Sequence, residues 1–403
     1  MKHCPKFILA LIVLIIISSS VYSIHSTAFP DSRNLTEDSF NQSRPRVAVS
    51  GNTIHVVWES NRFTSGLGSD IFYRKSADGG NTWEQAVRLT DKSEKRRDPD
   101  VATYGNNVYV VWADERNSAT TGSDIYIRRS EDNGVTWKPE EQLTYEANQW
   151  DPRIVASSEF VHLTWLDERN MATANYDIYY RRSPTSGRTW EGEQRLTSDP
   201  SDQWRQSVAA SRNYVYVVYE DHRLWRYPPG SAGTLIYYAR STDAGASWST
   251  ENKLPTNGTW QFFPDVAAKE DSLYVAWSDG RNYSKTKRDI WFISSANHGG
   301  SWSNETRITS DLATQEYPRI TVTGKDLYIV WQDLRNELTT GMDLYYRKGE
   351  QYGTDWTAEF GLTENQWQYN PAVASSGTQV HIVWTDERLW TTGGQEIFYT
   401  LLQ

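Results

Sequence analysis

From residue 33 onward the chain is a succession of short runs in which apolar and polar positions alternate, separated by clusters of Gly, Asn, Asp and Ser. Ile54-His55-Val56-Val57-Trp58 and Asp124-Ile125-Tyr126-Ile127 are typical, and period-two runs with such punctuation predict β-strands. No segment carries a sustained helical period. The runs fall into groups of four. The first strand of each group is small and apolar (Val47-Ala48-Val49, Val101-Ala102-Thr103, Val208-Ala209-Ala210), and the second ends on an aromatic residue. The third begins at an acid and is rich in aromatics (Asp177-Ile178-Tyr179-Tyr180), and the fourth closes on a pair such as Leu89-Thr90 or Leu143-Thr144.

Two motifs keep time along these groups. Aromatic-x-Asp-x-Arg follows the second strand seven times, from Trp58-Glu59-Ser60-Asn61-Arg62, where Ser60 takes the Asp slot, to Trp384-Thr385-Asp386-Glu387-Arg388. Successive aromatics are 54, 53, 54, 58, 54 and 53 residues apart. Ser-x-Asp-x-Gly-x-x-Trp follows the third strand at 76–83, 130–137 and 241–248. It recurs with Thr185 and Asn297 in the Asp slot at 183–190 and 295–302, and in worn form at 349–356. Repetition at a fixed period of this length marks a repeat architecture, and four short strands per unit predict a β-propeller blade.

The count is seven of strands one to three, but only six turns and six downstream fourth strands. The seventh fourth strand is expected at the other end of the chain. Arg33-Asn34-Leu35-Thr36 resembles Arg88-Leu89-Thr90, so residues 33–37 are expected to complete the last blade and remove an open sheet edge. The predicted fold is therefore all-β, a seven-bladed propeller over 27–403, closed by its N-terminal strand.

Composition narrows the class. The 19 Trp and 24 Tyr suit an all-β protein, and a net charge of −10 without any basic block argues against a nucleic-acid partner. Lys2 and Lys6 precede the apolar run Phe7–Ile17, which is short for a membrane span and reads as a secretory signal over 1–26. An N-terminal anchor is the alternative if it stays uncleaved. Cys4, the one cysteine, lies within it, so no disulfide is expected in the mature chain. Asn34, Asn41, Asn257, Asn282 and Asn304 head glycosylation sequons.

The Ser-x-Asp-x-Gly-x-x-Trp repeat resembles the Asp-box, or BNR repeat, of the sialidase-like β-propellers, and the resemblance covers the whole chain after the leader. It implies a fold that hosts sialidases, other glycosidases, lectins and scaffold proteins, with the Asp-box turned away from the ligand face. Sialidases clamp a carboxylate with three arginines and use a Tyr nucleophile, a Glu and an Asp. Their Phe/Tyr-Arg-Ile-Pro signature is absent here. The nearest strings, Tyr317-Pro318-Arg319-Ile320 and Asp151-Pro152-Arg153-Ile154, carry the proline on the other side of the arginine.

Once the tryptophans of the turns and second strands are set aside, Trp150, Trp204, Trp225, Trp260, Trp367 and Trp390 stand on loops expected at the ligand face. Flat indoles there suit the apolar faces of sugar rings, and Arg169, Arg205, Arg223 and Arg281 are the candidate polar ligands beside them. The alternatives are that the indoles cap gaps between blades and that the sevenfold Arg braces each blade. Asp98, Asp151, Asp202 and Glu316 are candidate acids, and the catalytic residues stay unassigned. His55, His162 and His381 fill one repeated slot and do not read as a metal site, and no cofactor motif occurs. The sequence thus predicts an exported, carbohydrate-recognising propeller, a glycosidase of exo-sialidase type or else a lectin or protein-binding scaffold. Its pocket is expected beside the divergent fourth blade.

Overall fold

A computed structural model describes residues 31–402 except 64–67, 91–94, 172–175, 227–232, 363–365 and 390–393. The expected signal segment 1–26 lies outside the described residues. Seven antiparallel sheets follow one another around an axis, each running first to fourth strand from the inside out. The first strands, from Gln42–Ser50 in blade 1 to Gln368–Ser376 in blade 7, pack against one another around that axis. Two four-residue helical turns, Arg223–Arg226 and Tyr283–Thr286, sit between the second and third strands of blades 4 and 5.

The ring closes as the strand count predicts. Arg33 and Asn34 pair with Tyr399 and Phe398 of the last third strand. Leu35 N–H then donates to Ile397 O at 2.7 Å and the Leu35 side chain is buried. In blades 1, 3 and 5 the acid that opens the third strand (Asp70, Asp177, Asp289) meets a guanidinium from the fourth (Arg88, Arg195, Arg307). Blade 7 places Glu396 there, facing the Thr36 hydroxyl. Burial, opposed by the Thr36 hydrogen bond, pushes its carboxyl up to about 7.

From blade 2 onward each aromatic-x-Asp-x-Arg segment is a brace inside its own blade, whereas in blade 1, with Ser60 in the Asp slot, Trp58 donates to Gln42 and Arg62 lies 3.7 Å from Asp38. Asp114 accepts the Trp112 indole N–H at 3.0 Å and the Arg116 backbone N–H at 2.9 Å. The Arg116 guanidinium reaches Glu140 beside the fourth strand at 2.8 Å and lies 4.1 Å over the Tyr126 ring. The Asp–Arg–Glu chain recurs in blades 3 to 6, with the Tyr219 hydroxyl on Glu251 in place of an indole on the Asp in blade 4, and in blade 7 Arg388 reaches Ser32 instead of a glutamate. The brace runs from the second strand to the fourth, and Arg169 and Arg223 also meet Glu146 at 3.3 Å and Asp199 at 3.8 Å in the loops that lead into their blades.

The Ser-x-Asp-x-Gly-x-x-Trp turns lock blade to blade. Ser76 accepts the Gly80 N–H at 2.8 Å, and Asp78 accepts the Thr82 N–H at 2.8 Å and hydroxyl at 2.6 Å. The glycine is required twice over. It sits at positive φ, and a Cβ on Gly80, Gly134 or Gly245 would run into the hydroxyl of Tyr399, Tyr73 or Tyr180 from the preceding blade. The turn's Trp meets the same ring edge-on, Trp83 on Tyr399 at 5.0 Å and Trp137 on Tyr73 at 4.9 Å. His55, His162 and His381 bond these tyrosines through Nδ1 at 2.8, 2.8 and 2.9 Å.

Candidate functional site

Every first strand breaks its ladder at one place. The register shifts between Ser43 and Arg46, between Arg97 and Asp100, and at the same point in the other five blades. The residue there has positive φ, between 50° and 54° in all seven (Arg44, Asp98, Asp151, Arg205, Phe263, Tyr317, Asn370). A proline follows in six, and in blade 4 Gln206 replaces it and donates to Asp151 O at 2.6 Å. Such a bulge breaks the strict in-out alternation of a strand, and the residues on both sides of the proline line the axial cavity. Two tiers result. The mouth tier is the positive-φ set, and the deep tier is Arg46, Asp100, Arg153, Ser207, Asp265, Arg319 and Ala372. Together they enclose about 470 Å³, a volume that suits a small ligand.

Backbone amides at the bulges are satisfied across blades. Asp98 N–H donates to Glu59 at 2.7 Å, Phe263 N–H to Glu220 at 2.6 Å and Asn370 N–H to Gln332 at 2.9 Å. These acceptors occupy the middle slot of the aromatic-x-Asp motif. Glutamate stands there in blades 1 and 4 alone, the two blades whose mouth residue is Arg. Glu59 bonds Arg44 at 3.1 Å, and Glu220 lies 3.7 Å from Arg205. Both carboxyls are buried, while the guanidiniums are 48% and 41% exposed.

In the deep tier Arg46, Arg153 and Arg319 adopt one conformation, each donating to the carbonyl of the proline before it at 3.1 to 3.3 Å. Burial, then the facing guanidiniums of Arg153 and Arg319, push the Arg46 pKa down. Burial opposes the Arg153 cation too, but Asp151, Asp100 and Asp98 hold it above its ordinary value. Asp100 accepts the Ile154 N–H at 2.9 Å and Asp265 the Ile320 N–H at 2.8 Å, so both acids strap adjacent first strands. Burial and the neighbouring Asp151 charge raise the Asp98 carboxyl. Opposite them Phe263 and Tyr317 pack as a tilted pair with centroids 3.8 Å apart and planes at 31°, and Arg205 lies 4.1 Å over Phe263. Burial pushes the Tyr317 phenol up.

Of the sequence-predicted residues, Arg205, Asp98 and Asp151 come together here. Arg169, Arg223 and Arg281 stand outside the cavity in the blade braces, on Glu193, Glu251 and Glu305. Trp150 and Trp204 are half-buried just before the mouth tier. Trp150 donates to Glu168 at 2.9 Å under the Arg97 guanidinium, and Trp204 packs on Tyr176 and His222. Trp260 and Trp367 are the open indoles, 40% and 39% exposed. Trp225 falls in the helical turn Arg223–Arg226 with its side chain outside the described residues, as is Trp390. Asp202 accepts the Tyr176 N–H and Glu316 bonds Arg288, both away from the cavity lining. The cavity is axial, whereas the sequence pointed beside blade 4. Sequence reasoning passed over Arg44, Arg46, Asp100, Glu59, Glu220, Phe263 and Asp265. The x-Pro-x triplet, constant in frame and variable in its flanks, was the available signal.

No protein-family model matches the chain, and no curated protein sequence matches it. Solved structures do resemble it in fold. An α-L-arabinofuranosidase of Fusarium graminearum in complex with arabinobiose aligns at 16% identity over 90% of this chain and 93% of that one, with a TM-score of 0.54. The endosialidase of phage phi92 aligns at 12% identity over 93% of this chain and 69% of that one, with a TM-score of 0.55. An α-L-arabinanase of Penicillium chrysogenum with bound arabinobiose aligns at 16% over 75% and 94%, with a TM-score of 0.51. At these identities the likeness is one of fold, a propeller that glycoside hydrolases use.

Proposed function

We propose that this chain is an exported, glycan-recognising propeller of the Asp-box class that receives a sugar in its axial cavity. The observation that carries this reading is the convergence of unrepeated residues on one concave site. Five guanidiniums, three of them in the deep tier, four carboxyls and an aromatic pair line an otherwise sevenfold scaffold. Glycosidases among the fold neighbours support it. Export rests on the leader-like residues 1–26, and N-terminal sequencing of the protein recovered from the medium tests it.

A glycosidase of exo-sialidase type would draw on residue types found in this lining. Asp98, whose carboxyl is raised by burial and the Asp151 charge, has the character of a general acid. Tyr317 would be the nucleophile of the resemblance, with Glu220 nearest in role to its base. One observation favours the non-catalytic alternative, a lectin or protein-binding scaffold. Glu220 is already bonded to the Phe263 amide at 2.6 Å, and burial pushes the Tyr317 phenol up rather than down. Release of fluorophore from aryl glycosides, sialoside included, separates hydrolysis from binding, and a glycan array without any signal would remove the sugar reading altogether.

A further inference from the structure

Blade 5 departs from the other six just outside the cavity. One residue before the mouth tier, and again three residues before it, each first strand has a position fixed by the ladder. At the outer one the backbone carbonyl accepts an N–H from the residue after the motif's Asp slot, as Trp260 O does from Gly280 at 2.7 Å. Blade 5 alone carries a ring at both positions and at the mouth, namely Trp260, Phe262 and Phe263. The matching residues of blade 3 are Asn148, Trp150 and Asp151. Trp260 and Phe262, two apart on strand with unbroken register, share a face, and the buried Gln261 points the other way. Phe262 meets Phe263 with centroids 6.2 Å apart, and Phe263 meets Tyr317 inside the cavity. On the outer side Trp260 meets Tyr283, the first residue of the helical turn Tyr283–Thr286, at 6.1 Å. The facing strand is cut back to receive the indole. Gly280 stands opposite Trp260, where no other blade has glycine, and a Cβ on it would come within 3.2 Å of the Trp260 Cβ and 3.3 Å of its ring. Trp260 and Tyr283 are nevertheless 40% and 45% exposed.

We infer that this ridge is a second carbohydrate subsite, and that the ligand is an oligosaccharide with one end in the axial cavity and its next units along Phe262, Trp260 and Tyr283. The inference rests on the reading of the cavity as a glycan site and gives that ligand a length and a direction. From Trp260 to Phe263 the strand advances roughly 10 Å, so a ligand that touches both the cavity and the outer rings has several linked units. Neighbouring exposed rings beside a cavity mark a recognition surface, and their flat faces suit the apolar faces of sugars. Donors for hydroxyl groups flank them. The Lys287 ammonium lies 5.1 Å over the Tyr283 ring and the Arg288 guanidinium 4.7 Å over Phe262. A peptide strand is the less suited occupant. Trp260 O and Gln261 N–H are already bonded to Gly280 and Thr234, so neither is on offer to an added strand.

The test uses the full chain after leader removal, titrated calorimetrically with ladders of linear pentose, hexose and sialic acid oligomers, from the single sugar to the hexamer. In the ladder that binds, affinity should climb roughly tenfold or more beyond the units that fill the cavity. Trp260→Ala should remove that gain, weakening the long members roughly tenfold while the shortest binding member keeps its affinity. Tyr283→Ala should take away a smaller part of it, and Trp260→Phe should restore part of what Trp260→Ala loses. Both positions are exposed, and an unchanged thermal unfolding midpoint in Tyr283→Ala separates a lost contact from a lost fold. Equal affinity at every length, or variants that weaken short and long members alike, overturns the inference and leaves the glycan reading standing. Absence of binding to every ladder takes down the glycan reading, and the inference with it.

Discussion

Blades 1 to 3 and blades 4 to 6 build opposite walls of the cavity on one plan. Each triplet opens with an Arg at the mouth held on a buried Glu (Arg44 on Glu59, Arg205 on Glu220). Each continues with an Asp that straps the next first strand and ends on a deep arginine, Arg153 or Arg319. The walls part company at two mouth positions, where the first has Asp98 and Asp151 and the second has Phe263 and Tyr317. One deep position differs as well. Arg46 faces Asp100, whereas Ser207 donates a hydrogen bond to Asp265 at 2.7 Å. The shared parts hold strands in place and the unshared parts give the cavity a hydrophilic acid wall opposite an aromatic one. A ligand seated between them would be oriented by that difference.

Substitutions at matched positions test whether the walls differ as described. The largest effect is expected at Phe263. Phe263→Ala empties a space bounded by Tyr317 and Arg205 and should cost about 3 to 4 kcal/mol in chemical denaturation, whereas Asp98→Asn at the same step of the other wall should cost nothing. Equal losses would erase the distinction. Next comes Glu220→Ala, expected to cost about 2 to 3 kcal/mol because the Phe263 amide and Arg205 both lose their acceptor. Glu220→Gln should recover most of that loss, since Gln332 serves the Asn370 amide in blade 6. Glu59→Ala should cost less, because Arg44 is more exposed and keeps Asp98.

A smaller effect is expected from the titration of Asp98. Its folded carboxyl is raised, first by burial and then by Asp151, so the folded chain holds this proton more tightly than the unfolded one. Ionising it therefore costs stability. The cost is absent below the ordinary carboxyl range, grows as pH rises from there to the raised folded value, and stays constant above it. Asp98→Asn should then stabilise the chain at pH 8 and leave its stability unchanged at pH 4 in thermal unfolding. Phe263 and its wall offer no counterpart to this pH term. The smallest effect lies outside the cavity, at the seam, and gives the baseline for a buried acid that no ligand touches. Glu396, facing Thr36 with Asp38 and Glu37 nearby, is raised to about 7. Its penalty should appear between about pH 4.5 and 7 and persist above. Glu396→Gln should slow hydrogen exchange at the Leu35 and Ile397 amides at pH 8 and leave it unchanged at pH 4, a shift of about 1 kcal/mol at most.

The repeated features of this fold were open to sequence reading because repetition averages out local ambiguity. Seven aligned strands, six turns and the displaced Arg33-Asn34-Leu35 strand all appear where their patterns place them. The cavity was harder to read for the same reason. Its residues are those that do not repeat, and the bulge that turns both Arg44 and Arg46 toward the axis breaks the two-residue alternation on which strand reading depends. Charge pairing hid the rest. Glu59 and Glu220 look like surface residues in an aromatic-x-Asp motif, and only the neighbouring blade's amide shows why they are buried. Arg169 illustrates the converse, since a guanidinium that recurs in every blade carries a blade's own brace.

The interlock of turn and ring also bears on how the molecule comes apart. Tyr73 enters the turn of blade 2 and Tyr399 enters the turn of blade 1, so the series of ring-on-glycine contacts crosses the seam, and it runs from the turn of blade 1 to the turn of blade 6. In a linear repeat array the terminal unit has one neighbour, can fray alone, and contributes a separable increment of stability. Here every blade has two neighbours, and loss of any of blades 1 to 5 strands an aromatic ring on one side and an empty turn on the other. Such a circle melts as one cooperative body. It also resists change of length in evolution, because adding or deleting a single blade would reset the angle at every remaining junction.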